Sequence, residues 1–379
     1  MKKIALIGST GSIGKQTLSV VRRHSDKFQI VSLAGGYSEA EFISQVNEFK
    51  PKVATLALSP KCEPCELNKS TEFFFGEDAF KNAIIEEADI VVVALVGFKG
   101  IIAVLDAIEK GKNVALANKE SLVVGGELVM EKAKEKGVKI TPIDSEHSAI
   151  WQALNFDFNT PFSKIILTAS GGAFRDYSKE QLSVATASDA LKHPNWLMGA
   201  KITVDCATLV NKAFEVVEAK WLYNAPFDKI DVIIHRESII HSMVEFNDGS
   251  VIAQMSYPSM ELPIALALNY PERITSNVKS LNFAELKSLS FAPVDHQRFP
   301  CFNLVLESAK AGADYPAVAN GANEMAVKLF LEGKIGYNDI YKAIYGALQS
   351  HYGGHHVDFE HLQEADAFAR NYVKELFNI

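Results

Sequence analysis

Asp144 and Glu146 are carboxylates spaced by one residue at the end of the apolar run VKITPI, and acidic oxygens so placed suit a hard divalent cation such as Mg²⁺ or Mn²⁺. If the extended geometry of that run persists through Ser145, side chains 144 and 146 project to the same face. The same residues also suit a helix start, with Asp144 or Ser145 capping SEHSAIWQAL and Glu146 favouring its dipole, and spacing leaves both readings open. Farther along, Asn211, Lys212 and Glu215 fall on a helical stretch beginning near Cys206, with 211 and 215 one turn apart. They can present an amide, a cation and a carboxylate to a small anion, or form an ordinary ion pair on a solvated face. Ser170-Gly171-Gly172 ends a strand-like run in a loop whose backbone N–H groups suit an anion.

A stronger signal stands near the first residue. Gly8-Ser9-Thr10-Gly11-Ser12-Ile13-Gly14 follows the apolar run KIALI and opens an amphipathic helix. Glycines there let a pyrophosphate approach the backbone at a helix N-terminus, which is the phosphate-binding device of dinucleotide-binding sheets. The spacing is G-x-x-G-x-x-G, a variant of the plain fingerprint, and a tight turn without a ligand is the bland alternative. Where the second strand ends, Ala34-Gly35-Gly36-Tyr37-Ser38 offers no carboxylate to repel a 2′-phosphate, so the preference leans to NADP.

Elements that could position these groups follow from the hydrophobic pattern. KIALIGS, FQIVSLAGG, DIVVVALVG, KNVALANK and VKITPID read as strands alternating with helices SIGKQTLSVVRRH, SEAEFISQVNEF, GIIAVLDAIEKG and GGELVMEKAKEKG. Continuous apolar strands with helical crossovers predict an α/β, Rossmann-type, doubly wound parallel sheet over 1–148. A central α+β domain is predicted over 149–285. There KIILTASGG is a strand, ITVDCATLVNKAFEVVEAKWLY runs from a strand end into a long helix, and KIDVIIHRESIIHSMVEFNDGSVIAQM forms paired strands turning at Asn247-Asp248-Gly249. A linker over 286–300 precedes a C-terminal α-helical domain over 301–379.

Composition bounds the function. The 379 residues carry 38 basic and 46 acidic side chains for a net charge of -8, which argues against nucleic acid as a partner. No apolar run reaches the ~18–20 residues of a membrane span, and MKKIALIGSTG enters a strand without a signal-peptide core, so a cytoplasmic protein is expected. The four cysteines, Cys62, Cys65, Cys206 and Cys301, are too few for a disulfide framework. Cys62-Glu-Pro-Cys65 is a lone C-x-x-C, read as two thiols on a surface loop.

Taken in order, GSTGSIG at 8–14, ALANKESLV at 115–123, IDSEH at 143–147, TASGGAFR at 168–175, LKHPNWLMG at 191–199, VDCATLVNKAFE at 204–215, IIHSMVEFNDGSVIAQM at 239–255 and ANEMAV at 322–327 resemble the 1-deoxy-D-xylulose 5-phosphate reductoisomerases over essentially the whole chain. The resemblance implies conversion of 1-deoxy-D-xylulose 5-phosphate to 2-C-methyl-D-erythritol 4-phosphate in the non-mevalonate isoprenoid route. It implies NADPH and Mg²⁺, Mn²⁺ or Co²⁺ as cofactors, a retro-aldol/aldol rearrangement followed by reduction, and a homodimer. Carried over by position, it makes Asp144, Glu146 and Glu215 the metal ligands and Lys119, Glu146 and His193 the catalytic residues. Lys119, Ser145, Glu146, Ser170, His193, Cys206, Asn211, Lys212 and Glu215 would contact the sugar phosphate, with Trp196 covering it from a mobile segment. Thr10, Gly11, Ser12, Ile13, Gly35, Gly36, Tyr37, Asn118, Glu120 and Gly199 would line the cofactor.

The chain departs from the family at Cys206, where a serine usually donates to the substrate phosphate, and at Ala213-Phe214, where Gly-Leu is usual. His235 and His241 flank a strand near these motifs and read as hydrogen-bonded structural histidines. Two rivals are another NAD(P)-dependent dehydrogenase of a phosphorylated metabolite and a non-catalytic cofactor-binding regulator. The first does not account for carboxylates 144, 146 and 215 standing together with Asn211-Lys212. The second would be expected to lose metal ligands, and none is missing.

Overall fold

The computed structural model describes residues 1–58, 70–354 and 357–379, so Cys62 and Cys65 lie outside the described residues. In chain order its first elements are β1 (Lys2–Ile7), α1 (Ser12–Arg23), β2 (Phe28–Gly35), α2 (Glu39–Phe49), β3 (Val53–Leu56), β4 (Glu72–Phe75), β5 (Ile90–Val93), α3 (Lys99–Glu109), β6 (Asn113–Leu116), α4 (Glu120–Lys136) and β7 (Ile140–Pro142). There follow α5 (Ser145–Ala153), β8 (Lys164–Ala169), α6 (Lys179–Ser183), α7 (Ala187–Ala190), α8 (Ala200–Ala207), α9 (Val210–Leu222), β9 (Ile230–Ile234), β10 (Ile240–Glu245), β11 (Val251–Met255) and α10 (Glu261–Asn269). The chain closes with α11 (Phe283–Leu286), β12 (Ala292–Pro293), α12 (Pro300–Ala311), α13 (Tyr315–Leu331), α14 (Tyr337–Ser350) and α15 (Phe359–Leu376). No helix among the described residues is long and apolar enough to cross a membrane.

Two compact units emerge: Met1–Asn118, Val129–Asp144 and Ser259–Val278 form the first, and Lys119–Leu128, Ser145–Pro258 and Lys279–Ile379 the second. The first holds a seven-stranded sheet in the order β4-β3-β2-β1-β5-β6-β7, every pair parallel. Strand order reverses between β1 and β5, and ligands bind at such a switch point, outside the carboxyl ends of the strands. Ile4, Leu6, Leu33 and Val92 are wholly buried in its core, as parallel strands covered on both faces require. Strands β3 and β4 are additions to the sequence reading. VATL spans only four residues, and EFFF is half exposed at the sheet edge, so neither shows a strong pattern.

Helix α10 also belongs to this unit, although it falls within the span expected for the central domain. Its apolar residues Ile264, Ala265, Ala267 and Leu268 join the same core as Leu18 and Ile30 of α1 and β2. Lys2 Nζ donates to the Leu268 carbonyl at 2.6 Å, and Arg23 pairs with Glu261. A segment so remote in sequence carries no local mark of where its apolar face will be buried.

The second unit holds a five-stranded sheet, β11-β10-β8-β9-β12, and the C-terminal helices. The hairpin at Asn247-Asp248-Gly249 joins β10 to antiparallel β11, with Gly249 at φ 82°. Strands β9 and β10 are consecutive in sequence but not paired, because β8 lies between them, parallel to β9 and antiparallel to β10. The strand expected at ITVD is instead α8, and a left-handed Leu209 (φ 60°) separates it from α9, which starts at Val210 and not near Cys206. Strand geometry does not persist through 144–146 either: β7 stops at Pro142 and Ser145 opens α5. Glu146 therefore projects from the first turn of a helix, where a carboxylate suits the dipole.

Candidate functional site

In the first unit the glycine loop sits at the strand switch. Gly8 has φ 98°, and a Cβ there would lie 2.6 Å from the carbonyl oxygen of Ala94, just past β5. A Cβ at Gly14 would fall 2.2 Å from the Gly8 oxygen, so only glycine lets the first turn of α1 close onto the loop. Gly11 caps α1 without a side-chain hydrogen bond, and the first turn holds no acid. Its N–H groups and the positive end of the dipole are thus available to a phosphate.

Thr10, Gly11, Ser12 and Ile13 form this turn, and Gly36 N–H reaches Thr10 Oγ1 at 3.5 Å. Gly35 lies against Phe42, and Tyr37 is 67% exposed. Buried Asn118 donates to the carbonyls of Leu95 and Gly97, both at 3.1 Å, and so ties the end of β6 to the loop after β5. Asp144 ends the second segment of this unit, two positions before Glu146 along the chain.

The second unit gathers charge. Glu215, 1% exposed, takes hydrogen bonds from Asn211 Nδ2 at 2.5 Å, from Lys119 Nζ at 3.0 Å and from Lys212 Nζ. Lys212 also donates to Glu146 at 2.7 Å, so one ammonium lies between two carboxylates. Ser145 Oγ donates to the second oxygen of Glu146 at 2.5 Å. Burial and the neighbouring Glu215 push the Glu146 carboxyl up, but Lys212 and Lys119 outweigh them and hold it below its ordinary value. Burial lowers the Lys212 ammonium, and the two glutamates more than reverse this. Glu146 and Lys212 are therefore held in their charged forms. The cluster's oxygen-only acceptors are the donor set that a hard divalent cation takes.

These contacts have local causes. Asn211, Lys212 and Glu215 share a face of α9 by their i, i+3 and i, i+4 spacing. Lys119 stands just before α4, where its carbonyl accepts from Leu122 and Val123 N–H. His147 Nε2 meets the backbone oxygen of Glu215 at 2.9 Å and pins α5 to α9.

A second group forms around Ser170. His193 Nδ1 accepts from the N–H groups of Asn195 at 3.2 Å and Trp196 at 3.0 Å, which leaves the ring proton on Nε2 facing Ser170 Oγ at 3.0 Å. Gly172 N–H also donates to that oxygen at 3.2 Å. Ser170 thus accepts twice and keeps its own hydroxyl proton to offer. Burial, with Arg175 nearby, lowers the imidazole from its ordinary 6.5 to about 4, so His193 is a neutral donor. Asn195 donates to Arg236 O at 2.6 Å and Ser238 Oγ at 2.7 Å, and Trp196 meets His241 edge to face at 6.1 Å.

Gly172, at φ 68°, packs on the backbone of Cys206, and burial keeps that thiol protonated. The Asn211 and Lys212 side chains hydrogen-bond to carboxylates, whereas Ser170 bonds to His193 and Gly172. The expected phosphate set is thus distributed over two hydrogen-bonded groups. His235 is wholly buried, its ring nitrogens bonded to Ser290 O and to the N–H groups of Ile239 and Ile240, which is a structural role.

Sequence reasoning passed over Lys201, which bridges Glu120 and Asp205 at 2.8 Å each. The i, i+4 spacing of Lys201 and Asp205 was the available signal, but the longer-range partner Glu120 left none.

Comparison with known proteins gives a consistent result. Family models described as 1-deoxy-D-xylulose 5-phosphate reductoisomerase and as its C-terminal domain match residues 4–126 and 140–223, and a third, DXP reductoisomerase C-terminal domain, matches 255–372. The 1-deoxy-D-xylulose 5-phosphate reductoisomerase of Geobacillus sp. (strain WCH70) is 46% identical over 99% of this chain and 100% of its own length. That of Bacillus subtilis (strain 168) shows the same identity and coverage, 46%, 99% and 100%. The Zymomonas mobilis enzyme, solved in complex with NADPH, superimposes with TM-score 0.90 at 37% identity, covering 99% of each chain. A DOX-P reductoisomerase solved with NADPH, fosmidomycin and magnesium gives TM-score 0.93 at 36% identity, covering 100% of this chain and 98% of that one.

Proposed function

The chain belongs to the 1-deoxy-D-xylulose 5-phosphate reductoisomerase family, and from that premise we propose how its residues share the conversion of 1-deoxy-D-xylulose 5-phosphate to 2-C-methyl-D-erythritol 4-phosphate. The activity is that of an NADPH-dependent oxidoreductase and isomerase of isoprenoid biosynthesis, and it requires a divalent metal. The observation that carries the residue assignments is the buried group of Glu146 and Glu215 held between Lys119 and Lys212.

Asp144, Glu146 and Glu215 hold the cation, Mg²⁺, Mn²⁺ or Co²⁺, and the all-oxygen donor set supports this. When bound, the cation polarises the substrate's carbonyl and hydroxyl oxygens, and NADPH supplies hydride. Lys119 places its Nζ 3.0 Å from Glu215, where it orients the carboxylate and can donate a hydrogen bond to substrate oxygens. Ser145 holds the outer oxygen of Glu146. The phosphate is held away from the reacting carbons by Ser170, His193, Asn211, Lys212 and the N–H groups near Cys206. Such remote binding fixes orientation and contributes to lowering the barrier.

Ser170 suits this role because its hydroxyl proton is left free by two incoming donors, and His193 because its neutral ring presents Nε2–H. Segment 193–199, with Trp196, covers the substrate and excludes water. The glycine loop at Thr10–Ile13 takes the cofactor's pyrophosphate, and Gly35, Gly36, Tyr37, Asn118, Glu120 and Gly199 line the rest. The protein acts in the cytoplasm as a homodimer on a small sugar phosphate, with neither nucleic acid nor membrane as partner.

The test is direct. Purified protein given 1-deoxy-D-xylulose 5-phosphate, Mn²⁺ and NADPH should consume NADPH, read as falling absorbance. A folded, metal-supplied sample without turnover overturns the assignment.

A further inference from the structure

Lys201 lies outside every role assigned above, yet it is among the most constrained cations in the second unit. Its Nζ is 2.8 Å from Glu120 Oε1 and 2.8 Å from Asp205 Oδ2, with side-chain exposures of 19%, 9% and 2% for the three residues. Asn323 of α13 donates to the other oxygen of Asp205 at 2.9 Å, and the ammonium stands 5.3 Å above the Phe214 ring. The Asp205 end is thus anchored along α8 and against α13. The Glu120 end reaches a different segment, the first residue of α4, next to Lys119. Burial pushes the Glu120 carboxyl up, and Lys201, by charge and hydrogen bond, more than offsets this, so Glu120 stays ionised.

We propose that Lys201 is a positioning residue for cofactor binding, which joins the start of α8 to the start of α4 and holds the Glu120 carboxylate in one orientation. This rests on the reading of Glu120 and Gly199 as cofactor contacts. Gly199 caps α8 two residues before Lys201, so a single ammonium ties together both chain segments of the second unit given that role. Without Lys201 the Glu120 carboxylate keeps only the charge of Lys119 and a backbone hydrogen bond among its stated stabilising contacts, and a buried carboxylate so weakened shifts toward its protonated form or toward water. Either response changes what Glu120 presents to a nucleotide, while Glu215, Lys119 and Lys212 keep their own hydrogen bonds.

Five proteins test it: Glu120→Gln, Lys201→Met, Lys201→Arg and the double variants Glu120→Gln/Lys201→Met and Glu120→Gln/Lys201→Arg. The readouts are the NADPH Kd, from nucleotide fluorescence without substrate or metal, and the KM for 1-deoxy-D-xylulose 5-phosphate. Lys201→Met should weaken NADPH about tenfold and leave the substrate KM within about twofold, and Glu120→Gln/Lys201→Met should be no worse than the weaker single one. If Glu120→Gln leaves the NADPH Kd unchanged, the reading of Glu120 fails and the inference with it. If Glu120→Gln weakens NADPH but Lys201→Met does not, or the two effects add, Glu120 keeps its role and the inference about Lys201 is overturned.

Should Lys201→Met not fold, Lys201→Arg decides. Its longer, forked head shifts the NADPH Kd about threefold in the native background and not in Glu120→Gln. An equal shift in both backgrounds overturns the proposal.

Discussion

At the end of β1 the groups suited to an anion are backbone N–H groups, whereas the cluster around Glu146 and Glu215 is built of charged side chains from separate segments of the chain. The loop depends on what glycine lacks, since a Cβ at Gly8 or Gly14 would meet backbone oxygen at 2.6 or 2.2 Å. The cluster depends on charge balance, with two ammoniums set against two carboxylates. A backbone site tolerates varied side chains but not added volume. A charge-balanced site tolerates small shifts in shape but not neutralisation of one member, because the remaining buried charges are left uncompensated.

The largest expected effect breaks the cluster. Glu146→Gln removes a proposed cation ligand and the partner of Lys212, and kcat should fall on the order of 10³-fold with NADPH affinity unchanged, read by steady-state kinetics and nucleotide titration. Gly14→Ala should act on the other region alone. Its methyl cannot fit beside Gly8, so NADPH binding weakens on the order of tens-fold and thermal stability falls, while Mn²⁺ affinity is preserved. Loss of Mn²⁺ binding in that variant would show that the two regions are not separable.

A smaller effect concerns His193. The folded pKa of about 4 lies below the ordinary 6.5, so the unfolded chain binds more protons between those values. The contribution of this group to stability is complete above 6.5 and is lost as pH falls toward 4. Melting temperature followed across that window should decline less steeply for His193→Gln than for the native protein. An identical slope would remove the buried neutral imidazole from the account.

The smallest effect is at Cys206. Because burial keeps the thiol protonated and the helix backbone remains, Cys206→Ser should leave the substrate KM unchanged or lower it by up to about threefold. A loss of tenfold or more would assign the thiol a role of its own.

The same contrast explains what could be read before the structure. The glycine loop is local: strand, glycines and helix are contiguous, so spacing alone marked its place, and the alternation of apolar strands with helices conveyed the parallel sheet. Short strands such as β3 and the half-exposed β4 carry little periodicity and were missed. The strand expected at ITVD became α8, since β-branched residues in a segment packed against α9 and α13 follow tertiary contacts over local preference. Of the two readings left open for Asp144 and Glu146, the helix start is the one the structure shows, because α5 begins at Ser145 and a helical turn replaces strand alternation. The cluster itself is non-local. Nothing in the spacing of Lys119, Glu146 and Lys212 announces that they meet, and only resemblance to the family joined them. Lys201 stayed hidden because half of its environment, Glu120, is distant in sequence.

The central claim is that the backbone loop holds the nucleotide and the carboxylate cluster holds the cation, independently. Its most direct test is a crossed titration of Mn²⁺ and NADPH on native protein, Glu215→Gln and Gly14→Ala, each confirmed folded. The account predicts that Glu215→Gln loses Mn²⁺ and keeps NADPH, and that Gly14→Ala does the reverse. Loss of both ligands in either variant, or retention of Mn²⁺ affinity by Glu215→Gln, would contradict it.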